Sequence, residues 1–133
     1  MNATLNGERT LTELDHARLL KLAGRTGAPQ LDGILSGSDV VATRAVAADV
    51  VTMYTQVEIE DCHTRLRHQL VLCYPWDAEP AGGFISVLSP VGLALLGMRA
   101  GSTVRWQTPS GEESSAQVMS ILFQPEASGD YTL

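Results

Sequence analysis

Between residues 51 and 60 the chain alternates. Val51, Met53, Val57 and Ile59 are apolar, while Thr52, Gln56, Glu58 and Glu60 are polar. A period of two predicts a strand with one face on a core. The run RHQLVLCYP at 67–75 reads as a second strand closed by Pro75, and the polar link at 61–66 predicts that the two pair as a hairpin. After AGG at 81–83, the run FISVLS at 84–89 reads as a third strand. Val104 and Trp106 alternate with Arg105 and Gln107 in a fourth. PSG at 109–111 turns the chain into a fifth, AQVMSILFQ at 116–124, which Pro125 closes.

The N-terminal pattern has a different period. Residues 10–24, TLTELDHARLLKLAG, read as a helix, with Thr10 and Glu13 spaced as a capping box and Gly24 as its stop. Glu13 and Asp15 suit the positive end of the dipole. Leu11, Leu14, Leu19 and Leu22 share a broad face, and Leu20 falls outside it. RTGAP at 25–29 is a short turn, and Pro29 suits the first position of a second helix carrying Leu31, Ile34 and Leu35. That helix ends somewhere between Ser36 and Arg44, and Gly33 and Gly37 each weaken it by about 1 kcal/mol. The expected fold class is therefore α+β. A short antiparallel helical hairpin and linker occupy residues 1–48, and an antiparallel sheet domain with one short helix occupies 49–133.

The densest signal is SPVGLALLGMRAG at 89–101. Ser89 is a good N-cap and Pro90 a good first helical residue. Leu93, Leu95 and Leu96 give a short helix its apolar side, Gly97 can end it at positive φ, and Gly101 permits the next turn. These glycines end a helix rather than open one, so the stretch is not a phosphate loop. A capped connecting helix explains every residue type in it.

Composition narrows the function classes. The 133 residues are 44% hydrophobic, enough for one domain with a small appendage and a core without staples. The net charge is −6 and the nine Lys and Arg residues form no basic run, which argues against direct nucleic-acid binding. The first residues show no basic-then-apolar leader, and no apolar window is long enough to span a membrane. A cytoplasmic monomer is the expectation. Cys62, His63, His68 and Cys73 lack the paired spacing of a zinc site. Cys73 reads as a core thiol and the two histidines as solvated, so neither metal nor cofactor is expected.

ISVLSPVGLALLGMRAG at 85–101 also resembles the signature of the C-terminal domain of the Gre transcript-cleavage factors. DVVTM at 49–53, LVLCYPWDA at 70–78 and QPEASGDYTL at 124–133 narrow the likeness to the Rnk family within that group, the regulators of nucleoside diphosphate kinase. The likeness covers 49–133 in ordered blocks, and the N-terminal hairpin resembles the family's in kind rather than wording. The resemblance implies the fold of FK506-binding proteins for residues 49–133. It also implies a non-enzymatic transcription regulator that binds RNA polymerase near the secondary channel and competes with Gre factors. Nucleoside diphosphate kinase levels would change indirectly, without kinase chemistry. In Gre-like proteins the Ser-Pro region grips the channel rim, which carries over to Leu88, Ser89, Pro90 and Val91.

Gre hairpins carry acidic residues at the tip that help hold magnesium, a hard cation that wants anionic oxygens. Here the tip LAGRTGAPQ at 22–30 presents Arg25 and Thr26 and has no Asp or Glu, and Asp32 stands alone beyond it. Each arm is about 12 residues, roughly 18 Å. No transcript cleavage is expected. The chain departs from the family in having Ser102 where Asp is usual and in a second arm about one turn short. Two alternatives remain at this point. One is an isomerase of the FK506-binding type using Tyr54, Tyr74, Trp76, Phe84 and Trp106, although aromatics on strands are more often core. The other is a stand-alone interaction module with the hairpin as a dimerisation element. Glu126 and Asp130 receive no role from the sequence.

Overall fold

The computed structural model describes residues 8–132. The start of the first segment (1–7) and the final Leu133 lie outside it.

The alternating segments build a five-stranded sheet. Strand β3 (Gln56–Asp61) pairs antiparallel with β4 (Arg67–Cys73), so that Ile59 faces His68. Asp61 closes their link by accepting the N–H groups of His63 and Thr64 at 2.8 and 2.9 Å. On its other side β3 pairs with β7 (Glu113–Phe123), which pairs in turn with β6 (Thr103–Gln107), both antiparallel. The edge strand β5 (Phe84–Ser86) runs parallel to β4, giving the order β5-β4-β3-β7-β6. The sheet is therefore mixed, not antiparallel as expected. Two 3-10 turns, Pro75–Asp77 and Pro80–Gly82, carry the chain between β4 and β5. Connected this way, β5 enters in the same direction as β4.

The N-terminal segment departs further. Strand β1 (Thr10–Thr12) precedes α1 (Glu13–Thr26), and α2 (Pro29–Gly37) leads into β2 (Asp39–Val41). The two strands pair in parallel, Thr10 with Asp39 and Thr12 with Val41. Thr10 is thus not the helix cap: its N–H donates to Gly97 O at 2.9 Å, and Thr12 Oγ1 caps α1 by accepting Asp15 N–H at 3.0 Å. Gly24 does not end α1 either. The helix runs on to Thr26 and stops at Gly27, whose φ of 63° fits a left-handed C-cap. Pro29 opens α2 as expected, and Leu31 and Leu35 are buried along it. Leu20 is exposed, as its place off the apolar face required.

A single apolar core joins the two parts. Leu19, Leu22, Leu31 and Leu35 of the helices cluster with Val57, Leu72, Val118 and with Leu95 and Leu96. The segment before β3 is not strand. Val51 and Met53 are buried, but Thr52 and Thr55 are buried too, their hydroxyls 2.8 Å apart, and Tyr54 takes a φ of 65°. This buried loop finds its polar partners at the chain's end. Thr52 Oγ1 donates to Glu126 at 2.7 Å, and Gln124 Nε2 donates to the carbonyls of Ala47 and Val50 at 2.8 Å each. Gln124 is only 3% exposed and its Oε1 has no partner among the described residues. Gln124→Ala strands two backbone carbonyls and also removes an orphan acceptor. It should lower stability by about 2 kcal/mol in urea unfolding, and an unchanged midpoint would refute the anchoring role.

Candidate functional site

The Ser-Pro block forms a tightly bonded corner between β5 and helix α3 (Pro90–Leu95). Ser86 Oγ accepts Leu88 N–H at 3.0 Å. Ser86 O accepts the N–H of Ser89 at 3.0 Å and its hydroxyl at 2.7 Å. Ser89 Oγ in turn accepts Gly92 N–H at 3.1 Å, the N-cap expected of it. Val87 N–H donates to Cys73 O at 2.8 Å and ties the corner to β4. These bonds leave the chain little room. A Cβ on Gly92 would lie 2.0 Å from Ser86 O.

The far end of α3 is fixed from a distance. Arg9 Nη1 donates to the carbonyls of Leu93 and Leu96 at 2.6 and 2.8 Å, satisfying two acceptors that a short helix leaves open. Gly97 takes a φ of 76°, as expected, and its N–H donates to Val51 O at 2.8 Å. Burial lowers the Arg9 guanidinium from its ordinary pKa, and Glu8 opposes that shift.

The corner brings Leu88, Ser89, Pro90 and Val91 together on one ridge. Pro90 is exposed and the other three are half-buried. Leu88 and Pro90 border a shallow cleft of about 480 Å³ with Leu93, Trp106 and Pro109. Arg25 and Thr26 are not part of this surface. They end α1, where Thr26 Oγ1 donates to Leu22 O at 2.9 Å, and Arg25 borders a different cleft, of about 490 Å³. Of the five aromatics, Tyr54, Tyr74 and Trp76 converge on that second cleft, while Trp106 borders the corner.

Three contributors escape sequence reasoning. Gly92 looks like a helix interior residue, and only the approach of Ser86 O explains it. Arg9 lies 84 residues from the carbonyl of Leu93 that it holds. Asp15 is 1% exposed beneath α1 and accepts Met53 N–H at 3.1 Å. Burial pushes its carboxyl up to about 7; the Met53 N–H pulls down, Glu126 pushes up and Arg18 pulls down. Glu126, buried against Thr52, is a structural anchor of this network. Among the described residues no group of three or more His, Cys, Asp or Glu could hold a metal ion. Cys73 is buried, with its thiol donating toward Ile85 O at 3.5 Å. His63 and His68 are exposed. No helix among the described residues is long and apolar enough to cross a membrane.

Comparison with known proteins places this geometry among relatives. The family model described as transcription elongation factor, GreA/GreB, C-terminal, matches residues 46–123. The regulator of nucleoside diphosphate kinase of Escherichia coli strain K12 is 33% identical over 132 residues, covering 92% of this chain and 95% of the relative. Transcription elongation factor GreA of Solidesulfovibrio magneticus is 36% identical over 101 residues, 75% of this chain and 61% of that protein. Among solved structures, a prokaryotic transcription elongation factor GreA/GreB from Nitrosomonas europaea superposes with a TM-score of 0.73 at 29% identity. That match covers 87% of this chain and 98% of the other.

Proposed function

Because this chain belongs to the GreA/GreB transcription elongation factor family, and matches a regulator of nucleoside diphosphate kinase over nearly its whole length, we propose that it is a non-enzymatic transcription regulator that docks on RNA polymerase. The docking surface is the corner at Leu88, Ser89, Pro90 and Val91, set against the rim of the secondary channel, where the protein competes with Gre factors. The observation that carries this reading is the corner itself. Its exposed proline stands on a turn fixed by four local hydrogen bonds, so docking there orders little that is not already ordered. The apolar cleft beside it adds Leu93 and Trp106 as contact area. A net charge of −6 suits a basic rim and speeds encounter.

Residues 1–48 act in this reading as a short insert, and 49–133 as the body that docks. Helix α1 has 14 residues and α2 has 9. At 1.5 Å per residue they extend about 21 and 14 Å. The turn between them, at Arg25, Thr26 and Gly27, presents a cation and no carboxylate. Such an insert occupies the channel mouth without carrying a metal to the reaction centre, which makes the protein a blocker rather than a cleavage factor. A changed level of nucleoside diphosphate kinase would then follow from altered transcription.

The test is binding to core RNA polymerase by the native protein and by Pro90→Asp, with GreA as competitor. An acidic residue is well tolerated in a helix's first turn, so the variant keeps its fold. A saturable complex displaced by GreA and weakened at least tenfold in the variant is expected. A folded native protein that forms no complex would end the polymerase reading.

A further inference from the structure

The second cleft has a composition unlike the rest of the molecule. Arg18, Lys21 and Arg25 fall at i, i+3 and i+7 of α1, hence on one face of it. They are three of only nine Lys and Arg residues in a chain of net charge −6. Among the described residues none of the three forms a salt bridge, whereas Arg65, Arg67 and Arg99 each meet a carboxylate. Arg18 is steadied by donating to Thr132 O at 3.0 Å, and with Asp77 also on the lining three cations share the cleft with one carboxylate.

An aromatic shelf borders the same cleft. The rings of Tyr74 and Trp76 stack with centroids 5.0 Å apart and planes within 8°, and Tyr54 tilts against Tyr74 at 5.8 Å. Tyr74 covers one face of the Trp76 indole. The indole is nevertheless 68% exposed, so its other face is open. Tyr74 is 4% exposed and its hydroxyl has no hydrogen-bond partner among the described residues. The shelf is held in place at a conformational penalty: Tyr54 adopts a left-handed φ of 65°, and its hydroxyl donates to Asp77. Strain of this kind persists where the surroundings enforce it, and clusters at ligand clamps. At about 490 Å³ the cleft is in the range of small-molecule sites.

We propose that this cleft binds a nucleoside polyphosphate, with the base stacked on the open face of Trp76 and the phosphates on Arg18, Lys21 and Arg25. Each half of the site selects one half of the ligand. A planar π system is what an exposed indole backed by a second ring accepts best. A guanidinium matches two phosphate oxygens at once, and an ammonium adds a point charge. A bare polyphosphate would leave the shelf unused, and a nucleoside would leave three cations unpaired. A nucleic-acid strand would need a basic track beyond the cleft, and the net charge of the chain works against one. The site is separate from the proposed docking corner, since the two clefts share no residue. The purified protein alone is sufficient to test it.

The experiment is titration calorimetry of the full chain with ATP and GTP, alongside adenosine, inorganic tripolyphosphate and a single-stranded oligonucleotide. Trp76→Ala and the double variant Lys21→Glu/Arg25→Glu alter exposed side chains, and circular dichroism verifies that they fold. Saturable one-to-one binding of a nucleotide is expected, at least tenfold tighter than adenosine or tripolyphosphate, and weakened at least tenfold in either folded variant. Four results would overturn the proposal. These are no saturable heat at millimolar nucleotide, equal affinity for tripolyphosphate and ATP, binding of an oligonucleotide but not of ATP, or nucleotide affinity unchanged in the variants.

Discussion

Replacing Gly92 with alanine should lower Tm by about 10 °C and abolish polymerase binding together with the corner. The added Cβ would sit 2.0 Å from Ser86 O and 2.9 Å from both Ser86 C and Val87 Cα. All three are backbone atoms, so no side-chain rotation can relieve the overlap. Either α3 lifts off the corner or the Ser86–Ser89 turn opens, and both routes break the bonds that Ser86 O accepts from Ser89. Overpacking of this severity costs about 3 kcal/mol. For a domain of this size that is on the order of 10 °C. Thermal unfolding by circular dichroism reads the first part and the polymerase assay the second. A variant melting with the native protein would mean that the corner gives way easily, contrary to its hydrogen bonding.

The second large effect is a pH dependence that resides in one carboxyl. Asp15 titrates at about 7 in the folded protein, above the roughly 3.9 of an unfolded Asp. Between those values the folded state holds a proton that the unfolded state has released. Stability from this group is therefore complete below about pH 4 and is lost as pH rises through 7. The slope is at most about 1.4 kcal/mol per pH unit, so the loss approaches 4 kcal/mol. Asp15→Asn keeps an oxygen for Met53 N–H and removes the titration. The two proteins should unfold at similar urea concentrations at pH 4. At pH 8 the variant should be the more stable, by up to about 4 kcal/mol. Asp61, held low by the two backbone N–H groups it accepts, pulls the other way but does so in both proteins and cancels. Parallel stability curves for the pair would show that Asp15 is not the titrating group.

How far the sequence reveals this molecule depends on the range of the forces involved. Ser89, Pro90 and Gly97 were readable because capping and left-handed closure act within one or two turns. The alternation of β3 and β6 was readable because one face of each is buried, and β4 because a polar link and Pro75 bound its apolar run. Strands β1 and β2 were not: each has three residues, and their pairing joins positions 29 apart, such as Thr10 and Asp39. Thr52 falls on the polar side of the 51–60 alternation, yet it is buried together with Thr55. Their burial is possible only because they bond each other and Glu126, a residue 74 positions on from Thr52. The parallel entry of β5 depends on two 3-10 turns whose direction periodicity does not encode.

The site divides in the same way. The capping geometry of Ser89 and Pro90 was legible through local rules, and a docking role for the corner comes from family likeness alone. The sequence groups Tyr54, Tyr74 and Trp76 with Phe84 and Trp106 as a candidate isomerase pocket, but nothing local in it sets the cations of α1 against them. Lys21 and Trp76 become neighbours only through long-range packing of the helix on the sheet.

Finally, the parallel pairing of Thr10–Thr12 with Asp39–Val41 means that the helical excursion leaves and rejoins the body side by side. Its root is a clasp, the helices beyond it pack on the core through Leu19, Leu22, Leu31 and Leu35, and the tip at Gly27 carries a left-handed cap with open space where a Cβ would stand. Length added beyond those packed residues is thereby uncoupled from the architecture that supports it. Seven residues added to each helix next to that tip would advance it by about 10 Å without touching the clasp. The fold behaves as a fixed handle with an adjustable probe, and how deeply it reaches is set by insertions at a single point in the chain.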